Sequence, residues 1–208
     1  MSKTKPTTPK IMIIRHAEKP PEPSKEPPPF GINADGVEDK EALIVRGWQR
    51  AGALAAFFAP PPDAPLPNPA LATPRYVYAA KIKAAHTKGK KKVGSKSERP
   101  QETITPLVDK LGARVTTDFT FAKGDEKELA AAAMSHDGVV LICWQHENIT
   151  SITKHLPVSH KTPVPSEWPT SDGHSRFDVV WVFDLNRKGE KYKYQQIPQC
   201  LLAGDSPD

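Results

Sequence analysis

The chain has 208 residues, 38% of them apolar, and a formal net charge of +5. That length suits one domain spanning 1–208, with enough apolar residues for a core. No apolar run reaches the roughly 20 residues of a membrane-spanning helix, and residues 1–10 lack the apolar centre of a signal peptide. A soluble, cytoplasmic protein without a membrane partner is therefore expected.

The elements read as follows in chain order. Lys10 to Ile14 is a short apolar run of the buried-strand type. A proline-rich stretch at 20–29 reads as an extended surface loop. From Leu43 to Phe58 the apolar residues Leu43, Ile44, Trp48, Ala51, Leu54, Ala55 and Phe58 recur at helical spacing. A second proline-rich loop covers 60–74. Arg75 to Ala79 is a second strand. The lysine-rich stretch from Lys81 to Lys96 reads as a solvated loop. Lysines Lys88 to Lys96 within it supply much of the positive field, but no aromatic residues interleave with them, so a nucleic-acid stacking surface is missing. Glu102 to Leu111 is a helix with Gly112 as its cap, and Arg114 to Thr117 a third strand. Asp125 to Met134 is an alanine-rich helix.

Gly138 to Trp144 is apolar without alternation, as in a strand buried on both faces. It includes Cys143, which reads as a small buried hydrophobe. Ile149 to Leu156 begins another helix. Phe177 to Leu185 and Tyr192 to Pro198 form a hairpin about the turn at Arg187 to Gly189. Strands alternating with helices predict an α/β fold: a three-layer α/β/α sandwich with a mainly parallel sheet and an antiparallel C-terminal edge hairpin.

In open α/β sheets, ligands bind beyond the carboxyl ends of the strands. Two predicted strands end alike there. The first runs into Arg15, His16, Ala17 and Glu18; the fourth runs into Gln145, His146 and Glu147. Arg99 opens a helix, where free backbone N–H groups also favour an anion. Two arginines and two histidines converging on one cleft meet the needs of a phosphoryl dianion, since the guanidinium fork matches phosphate oxygens. This arrangement needs no metal and no cofactor. His146-Glu147 lacks the second histidine of a zinc helix, because Thr150 stands in that place. The two cysteines form no C-x-x-C pair.

The segment Arg15-His16-Ala17-Glu18 resembles the Arg-His-Gly-Glu signature of the histidine phosphatase (phosphoglycerate mutase-like) superfamily. Arg99-Pro-Gln-Glu-Thr103 resembles that family's Arg-Ala-x-x-Thr segment. Leu43 to Ala51 resembles its Leu-Thr-x-x-Gly-x-x-Gln-Ala helix start, and His146 matches its second histidine. The resemblance covers about residues 10–156. It implies a phosphatase acting on a small phosphate monoester, with His16 as nucleophile. Arg15, Arg99 and a protonated His146 would stabilise charge on the phosphoryl oxygens. Glu18 and Lys81 join Arg15 and Arg99 as expected substrate contacts, although Glu18 could instead brace the pocket loop. The leaving-group acid is open between Glu147 and the pair Asp125 and Glu126, for which helix capping is the competing role. Mutase-type phosphoryl transfer and a non-catalytic phosphate-binding module are the alternative functions.

Overall fold

The computed structural model describes residues 9–21, 28–88, 91–171 and 173–208. The sequence readings for 1–8, for 22–27 of the first proline-rich loop and for 89–90 of the lysine-rich stretch lie outside the described residues.

The elements are β1 (Lys10–Arg15), α1 (Val45–Phe58), β2 (Tyr76–Ala79), β3 (Lys83–Lys88), β4 (Lys91–Ser95), α2 (Arg99–Leu111), β5 (Thr116–Asp118), α3 (Glu126–Met134), β6 (Val139–Trp144), α4 (His146–Thr153), β7 (Thr170–Ser171), β8 (His174–Ser175), β9 (Val179–Leu185) and β10 (Tyr192–Pro198). Six strands make the central sheet, in the order β10-β9-β1-β6-β2-β5. β1, β6, β2 and β5 are mutually parallel. β9 runs antiparallel to β1, and β10 antiparallel to β9, which is the expected edge hairpin. In its turn, Asn186 Oδ1 accepts from the N–H groups of Lys188 and Glu190, while Gly189 takes φ 73°.

Successive strand residues point to opposite faces, and the sheet uses both. Met12, Ile14, Leu141 and Cys143 pack with Leu54, Phe58, Ile104 and Leu107, placing α1 and α2 on one face. Ile11, Ile13, Val140, Ile142 and Trp144 pack with Leu129, Ala133, Ile149 and Ile152, placing α3 and α4 on the other. The result is three layers. Each fully buried Leu, Ile or Phe among these contributes roughly 2–3 kcal/mol. Burial on both sheet faces explains why β1 and β6 read as continuous apolar runs.

Several boundaries differ from the sequence reading. α1 begins at Val45, because Leu43 N–H donates to Glu102 Oε2 (2.8 Å) and Ile44 N–H to the Glu18 carbonyl (3.1 Å). These two residues therefore enter as an extended strap. α2 starts three residues early, at Arg99, with Pro100 in the first turn, where a missing N–H costs nothing. Gly112 caps it at φ 52° and leads into a 3₁₀ turn over Gly112–Arg114, so β5 starts at Thr116. α4 begins at His146.

The largest correction concerns the lysine-rich stretch. It is an antiparallel hairpin, β3–β4, with a bulge between Lys83 and His86. Gly94 at φ 78° makes the bend possible, and a Cβ there would lie 2.7 Å from the Ala84 carbonyl oxygen.

Candidate active site

β1 ends at Arg15, and its parallel neighbour β6 ends at Trp144, in register with it. Both strands thus release their following histidines at the carboxyl edge of the sheet. His16 N–H donates to the Trp144 carbonyl (3.1 Å), so the first histidine loop is tied to the second strand. Ala17 N–H donates to Thr103 Oγ1 (2.8 Å), whose hydroxyl donates to the Arg99 carbonyl (2.6 Å). One threonine in α2 thereby fixes the loop carrying His16 against the turn carrying Arg99.

His16 is 3% exposed. Burial and the neighbouring charge of Arg15 hold its pKa well below the ordinary histidine value, with Arg99 and His146 adding to the effect. The ring is therefore neutral at neutral pH. Its Nδ1 lies 2.8 Å from the Ala17 carbonyl oxygen. A carbonyl only accepts, so the proton sits on Nδ1 and the lone pair on Nε2.

Arg15 is also buried, and burial lowers its pKa to about 10 against the opposing pull of Glu147 and Glu18. It stays charged at neutral pH. Its Nη1 donates to the Ser175 carbonyl, and its guanidinium carbon lies 3.6 Å from the centre of the Phe177 ring. Phe177 precedes β9 and forms a wall of the site, not the strand core expected from sequence.

His146 opens α4, with its side chain 30% exposed. Burial and Arg15 lower its pKa to about 4. In this state His146 is neutral, unlike the protonated form expected from the family resemblance. Glu147 pairs with Lys123 at 2.6 Å. Its burial acts upward, but the hydrogen bond and charge of Lys123 outweigh it and hold the carboxyl below its ordinary range.

Arg99 donates through Nε to the Ala42 carbonyl (3.1 Å) and through Nη2 to that of Lys40. Its charge still acts on both His16 and Arg15. Glu18 takes a bidentate hold of Arg50 (Nε to Oε2 3.0 Å, Nη2 to Oε1 2.8 Å) and also accepts from Arg46. Lys81 is exposed, with its N–H on the Phe121 carbonyl. Asp125 Oδ2 accepts from Ala122 N–H (2.9 Å). Glu126 Oε1 accepts from Gly124 N–H (3.0 Å) and the Trp144 indole (3.3 Å).

Two site features escaped sequence reasoning. Arg50 is 2% exposed and joins Glu18, Asp205 and Gln199. Its partners lie 32 and more residues away, so local pattern shows nothing of them. Gln145, the last residue before α4, is 5% exposed. Among the described residues, the buried polar atoms without a hydrogen-bond partner include both of its amide atoms and Arg15 Nε, while His146 Nδ1 lies 3.3 Å from Glu147 Oε2. Such atoms are costly to bury, and here they gather at the ends of β1 and β6. The donors among them, Arg15 Nε and Gln145 Nε2, are of the kind a tetrahedral oxyanion would satisfy.

The fold is the three-layer α/β/α sandwich expected from the sequence, and a solved phosphatase shares it. The protein histidine phosphatase SixA, solved in complex with tungstate, shares it at a TM-score of 0.51. The match covers 92% of this chain and 97% of that one, with 12% identity. A second SixA structure, from Agrobacterium tumefaciens, aligns over 91% of this chain and 96% of its own, at 14% identity and a TM-score of 0.43. No protein-family model matches the chain, and no curated protein matches it in sequence. At 12% identity the first likeness is one of fold alone. Among the described residues, no helix is long and apolar enough to cross a membrane.

Proposed function

We propose that this protein is a histidine phosphatase that hydrolyses a phosphate monoester through a phosphohistidine on His16. The observation that carries this reading is the state of His16. It is sealed, neutral and oriented by Ala17, with its Nε2 lone pair available and with Arg15, Arg99 and His146 all acting on it. The tungstate bound to the SixA neighbour is a tetrahedral oxyanion like phosphate, which agrees with this use of the fold.

In the first step His16 Nε2 attacks phosphorus, and the P–O bond to the leaving group breaks. Arg15 and Arg99 offset charge on the equatorial oxygens. A dianion beside His146 raises its pKa from about 4, so that substrate binding promotes the protonated form. In the second step water attacks the phosphohistidine and releases phosphate.

Glu147 is the stronger candidate for the leaving-group acid, because Asp125 and Glu126 already hold backbone and indole N–H groups. It starts as a carboxylate and must gain a proton to act, a change that the incoming dianion also favours. It then returns to the form suited to accept a proton from the attacking water. Glu18 braces the loop through Arg50 and does not touch substrate in this reading. Lys81 contributes charge at the mouth.

The test is p-nitrophenyl phosphate hydrolysis by His16→Ala. We expect a loss of about a thousandfold or more. Turnover equal to the wild type would sink the assignment.

A further inference from the structure

Apart from Lys81 at its base, the β3–β4 hairpin has no part in the chemistry just described, yet it stands beside it. Residues 81–96 hold seven lysines and no aspartate or glutamate. The hairpin is anchored at its base. Gly94 N–H donates to the Lys123 carbonyl (2.7 Å), and Lys81 N–H to that of Phe121 (2.7 Å). Val93 packs so closely on Gly124 that a Cβ there would fall 2.5 Å from it. Lys123 in turn pairs with Glu147, next to His146. The hairpin thus sits one ion pair away from the candidate site, and its chain runs on directly into Arg99.

Under Val93 lies a cleft of about 690 Å³, which continues past Lys127 on α3 to Asn148, Ser151, Lys154 and His155 on α4. Lys83, Lys96, Lys127 and Lys154 are exposed. The exposed acid on this cleft is Glu128. At the hairpin base Ile82 is 43% exposed.

We propose that the β3–β4 hairpin and the cleft beneath it dock an acidic polypeptide segment, holding a partner protein at the mouth of the phosphate pocket. Charge complementarity supplies the attraction. Strands of six and five residues reach about 16–20 Å, longer than a small metabolite and suited to an extended chain. An exposed isoleucine and a volume-bearing cleft fit peptide side chains. A nucleic acid would want aromatic platforms, and 81–96 contains no Phe, Tyr or Trp. The docking site rests on the phosphatase reading only in its placement, so binding and turnover are tested separately.

The experiment measures fluorescence anisotropy of a labelled Asp/Glu-rich peptide with the full-length protein. The proteins compared are the wild type, Lys83→Glu/Lys96→Glu, the milder Lys83→Gln/Lys96→Gln, and a control, Arg187→Glu/Lys188→Glu, in the turn at the far end of the sheet. We expect the hairpin reversal to weaken binding about tenfold, with a smaller loss for the glutamine pair and none for the control. Wild-type binding should also weaken as salt rises. Equal affinity of the hairpin variants and the control would overturn the proposal. So would tighter, hairpin-dependent binding of an oligonucleotide of matched charge. p-Nitrophenyl phosphate turnover, measured alongside, should be unchanged in the hairpin variants. Its absence from the wild type would count against the phosphatase reading and leave the docking result to stand or fall alone.

Discussion

The two sides of the histidine pair are built on opposite plans. On the α1 side, charge is enclosed and neutralised. Arg50, 2% exposed, lies between Glu18 and Asp205 with hydrogen bonds of 2.7–3.1 Å. Burial pulls its pKa down, but those two carboxylates more than reverse the shift. On the α4 side, Glu147 and Lys123 pair in contact with solvent, and the hairpin beyond them is rich in lysine, with no aspartate or glutamate in its sequence. The closed side can hold the His16 loop at a fixed geometry, while the open side can exchange partners as substrate arrives.

Breaking the closed side should have the largest effect. Arg50→Met leaves the buried Glu18 and Asp205 carboxylates with the half-exposed Arg46 as their remaining cation. We expect a loss of about 3–5 kcal/mol in urea denaturation, against under about 1 kcal/mol for Lys123→Met on the open side. Similar costs for the two would erase the contrast. Glu147→Gln sharpens the open side. Stability should hold, and p-nitrophenyl phosphate, with its good leaving group, should turn over nearly as before. An alkyl phosphate with a poor leaving group should lose about a hundredfold in kcat. A uniform loss on both substrates would remove Glu147 as the proton donor.

The smallest effect probes an imperfection in the closed side. Glu102, in the first turn of α2, has one oxygen on Leu43 N–H and the other, buried, without a hydrogen-bond partner. Burial raises its pKa to about 7. The folded protein keeps this proton where the unfolded chain has lost it. Its stabilising effect is therefore full below the ordinary carboxylate range and disappears as pH rises through about 7. Glu102→Gln cannot ionise. It should match the wild type at about pH 4 and exceed its stability by roughly 2 kcal/mol at about pH 8. Equal stability at both would show Glu102 ionised in the fold.

Much of this architecture is legible in the sequence, for a physical reason. β1 and β6 are buried on both faces, so they read as unbroken apolar runs, and the histidines that follow them fall where an α/β sheet presents its chemistry. The hairpin was not legible. Its strands carry lysine in place of an alternating apolar face, and their pairing depends on the bend at Gly94 and on the anchor to Lys123. Arg50 reads as the polar face of α1 because Glu18 and Asp205 meet it only in the fold. Gln145 reads as a loop residue until its unpartnered amide is seen beside His146.

In the proposed mechanism a phosphoryl group rests on His16 between the two steps. Rapid quench of the wild type with a phosphoryl donor, followed by peptide mass spectrometry under alkaline conditions, tests it most directly. The peptide containing His16 should carry an acid-labile phosphoryl group, absent from His16→Ala. Steady hydrolysis by the wild type with no phosphoryl group on His16 at any quench time, and undiminished hydrolysis by His16→Ala, would contradict it.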